Sequence, residues 1–312
     1  MRVSVIIPNW NGAAHLPVCL TALRAQTERG FEVLIADNGS TDGSLDLLAR
    51  EFPEVRVLAL GRNLGFTGAC NAGLRAAHGD FLALLNNDTE AHPDWLREVL
   101  AAFERHPRAG LIASKMLLFD RRDILHTAGD LFKTDGTPGN RGVWETDHGQ
   151  YPEGPVFSAN GGSAVYRRTL LDQVGLLDDD FFFSCEDVDL AWRAQLAGWP
   201  AVYAPRAVVY HKLSASGGGV TASFHDGRNF LYLLAKDVPG CVWRRHGLKI
   251  IAGQVRITLA ALRAWRGAAA RARLRGQWAG LLGLPRMLAK RRAVQASRTV
   301  SDDYILGLLT DA

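Results

Sequence analysis

A chain of 312 residues with 47% hydrophobic and 22% charged side chains has the make-up of a folded protein, which excludes wholesale disorder and collagen-like or coiled-coil architectures. Its four cysteines, Cys19, Cys70, Cys185 and Cys241, stand far apart without a CxxC pair, which argues against a zinc site and a disulfide framework and fits a reducing cytoplasm. The net charge of +4 conceals a division: Val238 to Ser301 holds fourteen of the 36 Lys and Arg and none of the 32 Asp and Glu, leaving +14 on this stretch and −10 elsewhere.

The apolar run Val3 to Ile7 is too short for a signal-peptide core, and no stretch reaches the length of a membrane span. Short β-branched runs predict strands over Val3 to Pro8, Glu32 to Asp37, Val55 to Leu60 and Asp80 to Leu85. Helical spacing over Ala13 to Gln26, Asp42 to Glu51 and Thr67 to Ala77 alternates with them. This rhythm predicts a parallel sheet covered on both faces, with ligands collecting at the carboxyl ends of the strands. Those ends are polar loops rich in Asn: Pro8 to Gly12, Asp37 to Ser40, Gly61 to Gly65 and Asn86 to Asp88. A helix over Pro93 to Glu104 follows, then strands over Leu111 to Phe119 and Ile124 to Phe132. Lys133 to Pro155 reads as a surface insertion. A helix starts near Glu186, and two short strands, Ala201 to Ala204 and Ala207 to Tyr210, lead to His211. Ser214 to Gly219 reads as a flexible lid, and everything beyond it as helical.

The succession Val5-Ile6-Ile7-Pro8-Asn9-Trp10-Asn11-Gly12, Asp37-Asn38-Gly39-Ser40, Arg62-Asn63-Leu64-Gly65-Phe66 and Asn86-Asn87-Asp88, followed by Glu186-Asp187-Val188-Asp189 with Arg193 and Gly198-Trp199, resembles glycosyltransferase family 2. The rhamnosyltransferase-like branch looks most similar, and the match covers residues 1 to 236. The resemblance implies a GT-A fold: an α/β, Rossmann-like, mostly parallel sheet flanked by helices, here with a helical basic C-terminal appendage. It also implies a nucleotide-sugar donor, a divalent metal (Mg²⁺ or Mn²⁺) and transfer with inversion. Residues 1–222 would form the catalytic domain and 223–312 the appendage.

On the same resemblance, Pro8, Asn9, Asp37, Asn63, Gly65, Asn71 and Asn87 would bind the nucleotide sugar, with Arg228 clamping the diphosphate. Asp37 would accept the imide N–H of uracil or thymine. The Asp37 loop also reads as an Asx turn with a helix cap. Asp88 stands where the family has its carboxylate pair; with amides at the two preceding positions it is the one carboxylate there to ligate a metal, and His211 would complete the shell. A strand-end turn is the plainer reading of both. Asp187 would be the general base, its pKa raised by Glu186, which orients the acceptor. Gly161 and Gly162 would let the acceptor approach without a Cβ in the way, and Trp199 would stack on a sugar. Asp189 and Arg193, at i and i+4, read as a helix-surface ion pair.

Projecting Lys249 to Arg266 onto a helix puts Lys249, Arg256 and Arg263 on one stripe, with Ile250, Ile251, Val255, Leu259, Leu262 and Trp265 opposite. This predicts a helix lying on an anionic membrane, at the inner face of the plasma membrane; packing against the catalytic domain is the alternative. No nucleic-acid module accompanies the charge, and no nucleic-acid partner is expected. The expected activity is transfer of rhamnose from dTDP-rhamnose to a glycan or polyprenyl-linked acceptor for cell-envelope polysaccharide. The alternatives are a galactofuranosyl or hexosyl transfer from a UDP-sugar, and a non-catalytic scaffold that binds membrane or nucleic acid.

Overall fold

A computed structural model describes residues 2–213 and 219–312. The first half alternates strand and helix: β1 (Val3–Asn9), α1 (Leu16–Arg24), β2 (Phe31–Asp37), α2 (Ser44–Glu51), β3 (Arg56–Ala59), α3 (Gly65–Ala76) and β4 (Phe81–Leu84). Next come β5 (Thr89–Ala91), α4 (Trp95–Arg105), β6 (Leu111–Leu118), β7 (Leu125–Thr127), β8 (Asp130–Phe132), β9 (Pro138–Asn140), β10 (Gly154–Val156), β11 (Ala164–Arg167), α5 (Arg168–Val174), α6 (Glu186–Leu196) and β12 (Ala201–His211). The central sheet runs in the order β10-β12-β6-β11-β4-β1-β2-β3, with β5 paired to β12 and β7 to β6. The β4-β1-β2-β3 half is parallel, as is the β6–β12 pair, and β11 is inserted antiparallel between β4 and β6.

Each crossover helix buries an apolar face on this sheet. The two faces carry separate cores, one built on Val5, Ile7, Leu16 and Trp95, the other on Ile6, Leu74, Leu84 and Leu190. The neighbours Val5, Ile6 and Ile7 divide between the cores because successive strand residues point to opposite faces. The polar loops at the carboxyl ends of β1, β2 and β4 are thereby brought to one rim.

Three expected elements differ. The strand over Ile124 to Phe132 is broken into β7 and β8 at Ala128-Gly129, where Gly129 takes φ +88° and packs against Val156. The two strands before His211 are one, β12, whose register slips between Ala204 and Val208. The stretch over Lys133 to Pro155 holds β9 and β10, and its residues Pro138 to Asn140 wall a cavity. The pair β11–α5 has no strong period in the sequence, and its place is fixed by the strands on either side.

The C-terminal helices are α7 (Gly219–Lys236), α8 (Gly240–Arg263), α9 (Ala268–Ala296) and α10 (Asp302–Gly307). The expected domain boundary at 222/223 lies inside α7, and the expected lid falls, apart from Gly219, outside the described residues. Helices α7 and α9 pack closely along glycines: a Cβ on Gly276 would lie 2.0 Å from the Phe224 carbonyl oxygen, and one on Gly227 2.4 Å from that of Arg273. A third core joins Val188, Trp192 and Leu196 of α6 to Leu233, Val238, Val242, Ile250 and Ile305 of the C-terminal region.

Asp189 and Arg193 are buried, not a surface pair. Arg193 meets Asp189 at 2.7 Å and donates to the carbonyls of Val174 and Leu176 at 2.8 Å each. Lys236 of α7 bonds Asp189 and also Asp178, the latter at 2.6 Å, while Lys290 of α9 meets Asp178 at 2.5 Å and Asp180 at 2.8 Å. This network ties α6 to the C-terminal helices. Removing one partner of a buried pair costs about 3–5 kcal/mol because the other charge is stranded. Lys236→Met is therefore expected to lower the melting temperature by roughly 10 °C, measured by differential scanning calorimetry. A change within a degree of wild type would show that the network carries no stability.

Candidate active site

Two adjoining clefts open at the sheet rim and share Phe66, Asn86 and Phe183 in their walls. The first, about 270 Å³, is lined by Pro8, Asn9, Trp10, Asn11, Gly12, His15, Asn38, Asn63, Gly65 and Asn87. Its floor is a chain of side-chain amides: Asn87 donates to Asn9 (2.8 Å), and Asn9 donates to Asp37 (3.0 Å). The second Asp37 oxygen accepts the Ser40 backbone N–H at 3.1 Å. Gly12 is essential to this chain, because a Cβ there would fall 2.1 Å from the Asn87 amide and 2.3 Å from the Asn9 oxygen. Asn38 donates to Asn63 at 3.0 Å and accepts the Leu64 N–H at 2.7 Å, so the β2 and β3 loops are joined by side chains. Gly65 takes φ +78° against Phe182, whose ring would lie 2.5 Å from any Cβ. Its small size serves the contact with the loop ahead of α6.

That loop is strained. Phe182, Ser184 and Cys185 all hold positive φ without being glycine, a cost that persists only where surroundings over-determine it. Here α7 does so: the Asn229 amide donates to the carbonyls of Phe181 (3.1 Å), Phe183 (2.9 Å) and Ser184 (2.6 Å). The strain presents the first turn of α6 to the second cleft, about 430 Å³, whose walls include Asp88, His126, Asp130, Asn160, Gly161, Gly162, Glu186, Asp187 and His211.

Asp187 accepts the Gly161 N–H and the Val188 N–H, each at 2.8 Å. Burial raises its pKa, and these donors hold the rise in check. Glu186 is pushed further up by burial and by the charge of Asp187, and its Oε2 is buried without a partner. Asp130 is raised to about 8 by burial and by Asp187, despite hydrogen bonds from Thr127 and Asn160. Of the carboxyls that line this cavity, Asp130, Glu186 and Asp187 are all pushed upward by burial, and Asp187 is the one whose rise is opposed by the backbone N–H groups of Gly161 and Val188.

Across the cavity His211 Nε2 lies 3.2 Å from Asp88 Oδ1, and His211 Nδ1 lies 3.2 Å from His126 Nδ1. Burial works to raise Asp88, but the His211 hydrogen bond and charge outweigh it and hold the carboxyl below its usual value. His126 is brought down to about 3 by burial and by His211, which keeps it neutral. Among the described residues that line the two clefts there are three His but no Lys or Arg. A dianionic ligand would therefore find no lysine or arginine there. One carboxylate and one imidazole suit Mg²⁺ or Mn²⁺ that takes its remaining ligands from phosphate oxygens and water.

The profile described as Glycosyl transferase family 2 matches residues 4–204, which include both clefts except for His211, Leu213, Thr221, Asp226 and Phe230. The chain belongs to this glycosyltransferase family. It is 31% identical over 265 residues to N-acetylglucosaminyl-diphospho-decaprenol L-rhamnosyltransferase of Mycobacterium tuberculosis (strain ATCC 25618 / H37Rv), covering 77% of this chain and 86% of the relative. It is 28% identical over 232 residues to the O-antigen biosynthesis protein RfbC of Myxococcus xanthus, covering 69% of this chain and 18% of that one. Among solved structures, S. aureus TarS 1-349 superposes with TM-score 0.58 at 18% identity, over 98% of this chain and 92% of that one. GalNAc-T7 with UDP, GalNAc and Mn²⁺ superposes with TM-score 0.61 at 16% identity, over 76% and 48%. These structures share the GT-A fold.

Of the expected site residues of this glycosyltransferase, Pro8, Asn9, Asn63, Gly65 and Asn87 line the first cleft, with Asp37 beneath it. Gly161, Gly162, Asp88, His211, Glu186 and Asp187 line the second. Three stand elsewhere. Asn71 holds Leu177 and Asp179, donating to the Leu177 carbonyl at 2.9 Å and to Asp179 at 2.8 Å. Arg228 donates to the Phe181 carbonyl at 2.7 Å and to Asn229 at 2.9 Å, so it supports the strained loop instead of facing a diphosphate. Trp199 lies at the far end of α6, its backbone N–H bonded to the Ala194 carbonyl at 2.9 Å and its indole to Gln173 at 2.9 Å; at about 1.5 Å per residue the helix rises ~10 Å from Asp187 to Ala194, away from the cavity.

Asp130 and His126 lie in the cavity although neither stands out in the sequence, since β7 and β8 read as one ordinary strand. Asp130 has a consequence for the transferase. It is neutral below about 8 and charged above, so alkaline pH adds a second negative charge beside Asp187. Activity is expected to fall as pH rises through that value, and Asp130→Asn, neutral throughout, should lack that alkaline limb. An unchanged limb in the variant's pH–rate profile would remove Asp130 from this role.

Proposed function

We propose that this glycosyltransferase moves rhamnose from dTDP-rhamnose, with inversion, to a polyprenyl-linked glycan acceptor at the inner face of the plasma membrane. The single observation that carries the catalytic reading is Asp187: a carboxyl at the head of α6 that faces the cavity and accepts the Gly161 and Val188 N–H groups, beside Glu186 and Asp130, which burial and the Asp187 charge push further upward. The choice of rhamnose and of a lipid-linked acceptor rests on the similarity to the mycobacterial rhamnosyltransferase.

The donor's base and ribose occupy the amide-lined cleft, with Pro8 and Asn9 flanking the base above Asp37. Its sugar lies at the junction beside Phe66, Asn86 and Phe183. The acceptor enters the larger cavity, where its hydroxyl meets Asp187. Asp187 removes the hydroxyl proton as the oxygen attacks the anomeric carbon from the face opposite the diphosphate. The new C–O bond forms while the bond to the phosphate oxygen breaks; nucleoside diphosphate leaves, and the proton stays on Asp187. Glu186, whose carboxyl burial and the Asp187 charge push well above the usual carboxylate range, orients the acceptor. Asp88 and His211 would hold a divalent metal, which supplies the positive charge that the leaving diphosphate requires.

A thermal-shift screen of nucleotide sugars with and without Mn²⁺ tests donor choice. A selective binder at 100 times its Kd stabilises the fold by about 2.7 kcal/mol. The expected result is stabilisation by dTDP-rhamnose that grows with Mn²⁺. Selective stabilisation by a UDP-sugar would replace rhamnose with a hexose or galactofuranose, and no response to any nucleotide sugar would favour the non-catalytic scaffold.

A further inference from the structure

Helices α8 and α9 pack on the protein through small or inward residues and leave their large apolar side chains outside. On α8 the buried positions include Ile250, Gly253 and Ala261; a Cβ on Gly253 would lie 2.8 Å from the Asp135 carbonyl oxygen. Opposite them, Leu248 (86% exposed), Ile251, Val255, Leu259 and Leu262 form a continuous exposed stripe, extended past the helix end by Trp265. On α9 the buried line is Ala272, Gly276, Gly280 and Met287, and the exposed line carries Trp278 (65%), Leu281, Leu282 (67%) and Leu288. Ten of the seventeen exposed large apolar side chains among the described residues lie on this one segment. Of the residues that the sequence placed opposite a basic stripe, Ile250 is buried, while Ile251, Val255, Leu259, Leu262 and Trp265 are exposed.

The charge around the stripe is of one sign. Arg256 pairs with Asp135 at 2.6 Å and Lys249 lies 3.6 Å from Asp311, but Arg245, Arg263, Arg266, Arg275 and Arg292 are exposed and make no ion pair among the described residues. On a helical projection Arg245 and Arg263 flank the α8 stripe, while Arg275 and Arg292 flank the exposed line of α9. No acidic side chain interrupts Val238 to Ser301. No helix among the described residues is long and apolar enough to cross a membrane.

We propose that the outer face of α8 and α9 docks in plane onto an anionic phospholipid bilayer, with Leu248, Ile251, Val255, Leu259, Leu262, Trp278 and Leu282 entering the interface and the unpaired arginines meeting the headgroups. The charge decides the occupant: a second copy of the chain would bring the same acid-free, basic face against itself, whereas an anionic leaflet complements it. Docking also reaches the active site. From α9, Lys290 reaches Asp178, the exposed Arg286 reaches Asp180, and Arg273 reaches Asp226 (3.0 Å), which accepts the Ser184 hydroxyl at 2.7 Å. The helix that lies on the bilayer thus holds the strained loop at the acceptor cavity. This use of the surface rests on the lipid-linked acceptor proposed above; the docking itself does not.

The test is co-sedimentation of the full chain with vesicles of phosphatidylcholine alone or mixed with phosphatidylglycerol, at low and high salt, with the mass in solution measured by analytical ultracentrifugation. Wild type is expected to be monomeric and to bind the anionic vesicles, less so at high salt. The variant Arg266→Gln, Arg275→Gln, Arg292→Gln should lose about fivefold in partition per residue, roughly 100-fold in all. The variant Leu248→Ser, Ile251→Ser, Leu259→Ser, Leu282→Ser, changed only at exposed positions, should lose binding to the same vesicles. Anionic-vesicle binding by the apolar-face variant equal to wild type would overturn the proposal, as would no wild-type binding. A wild-type dimer that the apolar-face variant converts to monomer would assign the face to a second copy instead. Transfer to a short water-soluble acceptor is expected to be unchanged in both variants; its absence in wild type would count against the proposed transfer and not against docking.

Discussion

Replacing Asp187 with Asn is expected to lower kcat by roughly 10²- to 10⁴-fold while donor binding stays close to wild type. The amide keeps the shape of the carboxylate, but it cannot take the acceptor proton, and its NH₂ group faces the Gly161 or Val188 N–H where an oxygen accepted before. Because burial raises the Asp187 pKa above the ordinary 3.8, the wild-type rate should fall on the acid side through a pH above that value. The sign follows from the base being active only when ionised. Initial rates against pH, with donor affinity by calorimetry, check both statements. A variant with near-normal kcat would take Asp187 out of the reaction.

Asp88→Ala is expected to have the second-largest effect, roughly 10²-fold or more in kcat together with weaker donor binding in Mg²⁺ or Mn²⁺. The cause is the absence of Lys and Arg from the described lining of both clefts, which makes a metal at Asp88 and His211 the main compensation for diphosphate charge. His211→Ala should be milder, since the imidazole adds a ligand but no negative charge. Titrating metal into enzyme stripped with EDTA measures this: wild type should regain activity and Asp88→Ala should not. Full wild-type activity in excess EDTA would refute a metal at this site.

Much of the architecture was legible because strand and helix carry different apolar periods, and the Asn-rich turns mark the carboxyl ends of β1, β2, β3 and β4. The residues that line the clefts lay largely in those turns and at the head of α6. What the sequence hid arises from contacts distant along the chain. Asp189 and Arg193 have the spacing of a solvated pair, and only the arrival of Lys236 from α7 makes them a buried network. Arg228 looked free to meet a phosphate, but the strained loop before α6 presents the Phe181 carbonyl to it first. Trp199 follows Asp187 by twelve residues, and the helix between them carries it away from the cavity. Asp130 enters the site through the break at Gly129, which a strand-length apolar run does not reveal. The amphipathic projection of α8 located a basic and an apolar stripe, but both are largely exposed; the protein covers a third line, Ile250, Gly253 and Ala261, which depends on small residues admitting close contact.

The most direct test of the central claim is the configuration of the product. Purified enzyme, dTDP-rhamnose, Mg²⁺ and a polyprenyl-linked glycan acceptor are incubated together, and the anomeric configuration of the new linkage is read by NMR, with Asp187→Asn as the control. A single base that activates the acceptor opposite the leaving diphosphate requires a linkage of configuration opposite to that of the donor, formed by wild type and nearly absent with the variant. A product that retains the donor's configuration, or one formed equally by the variant, would contradict the account.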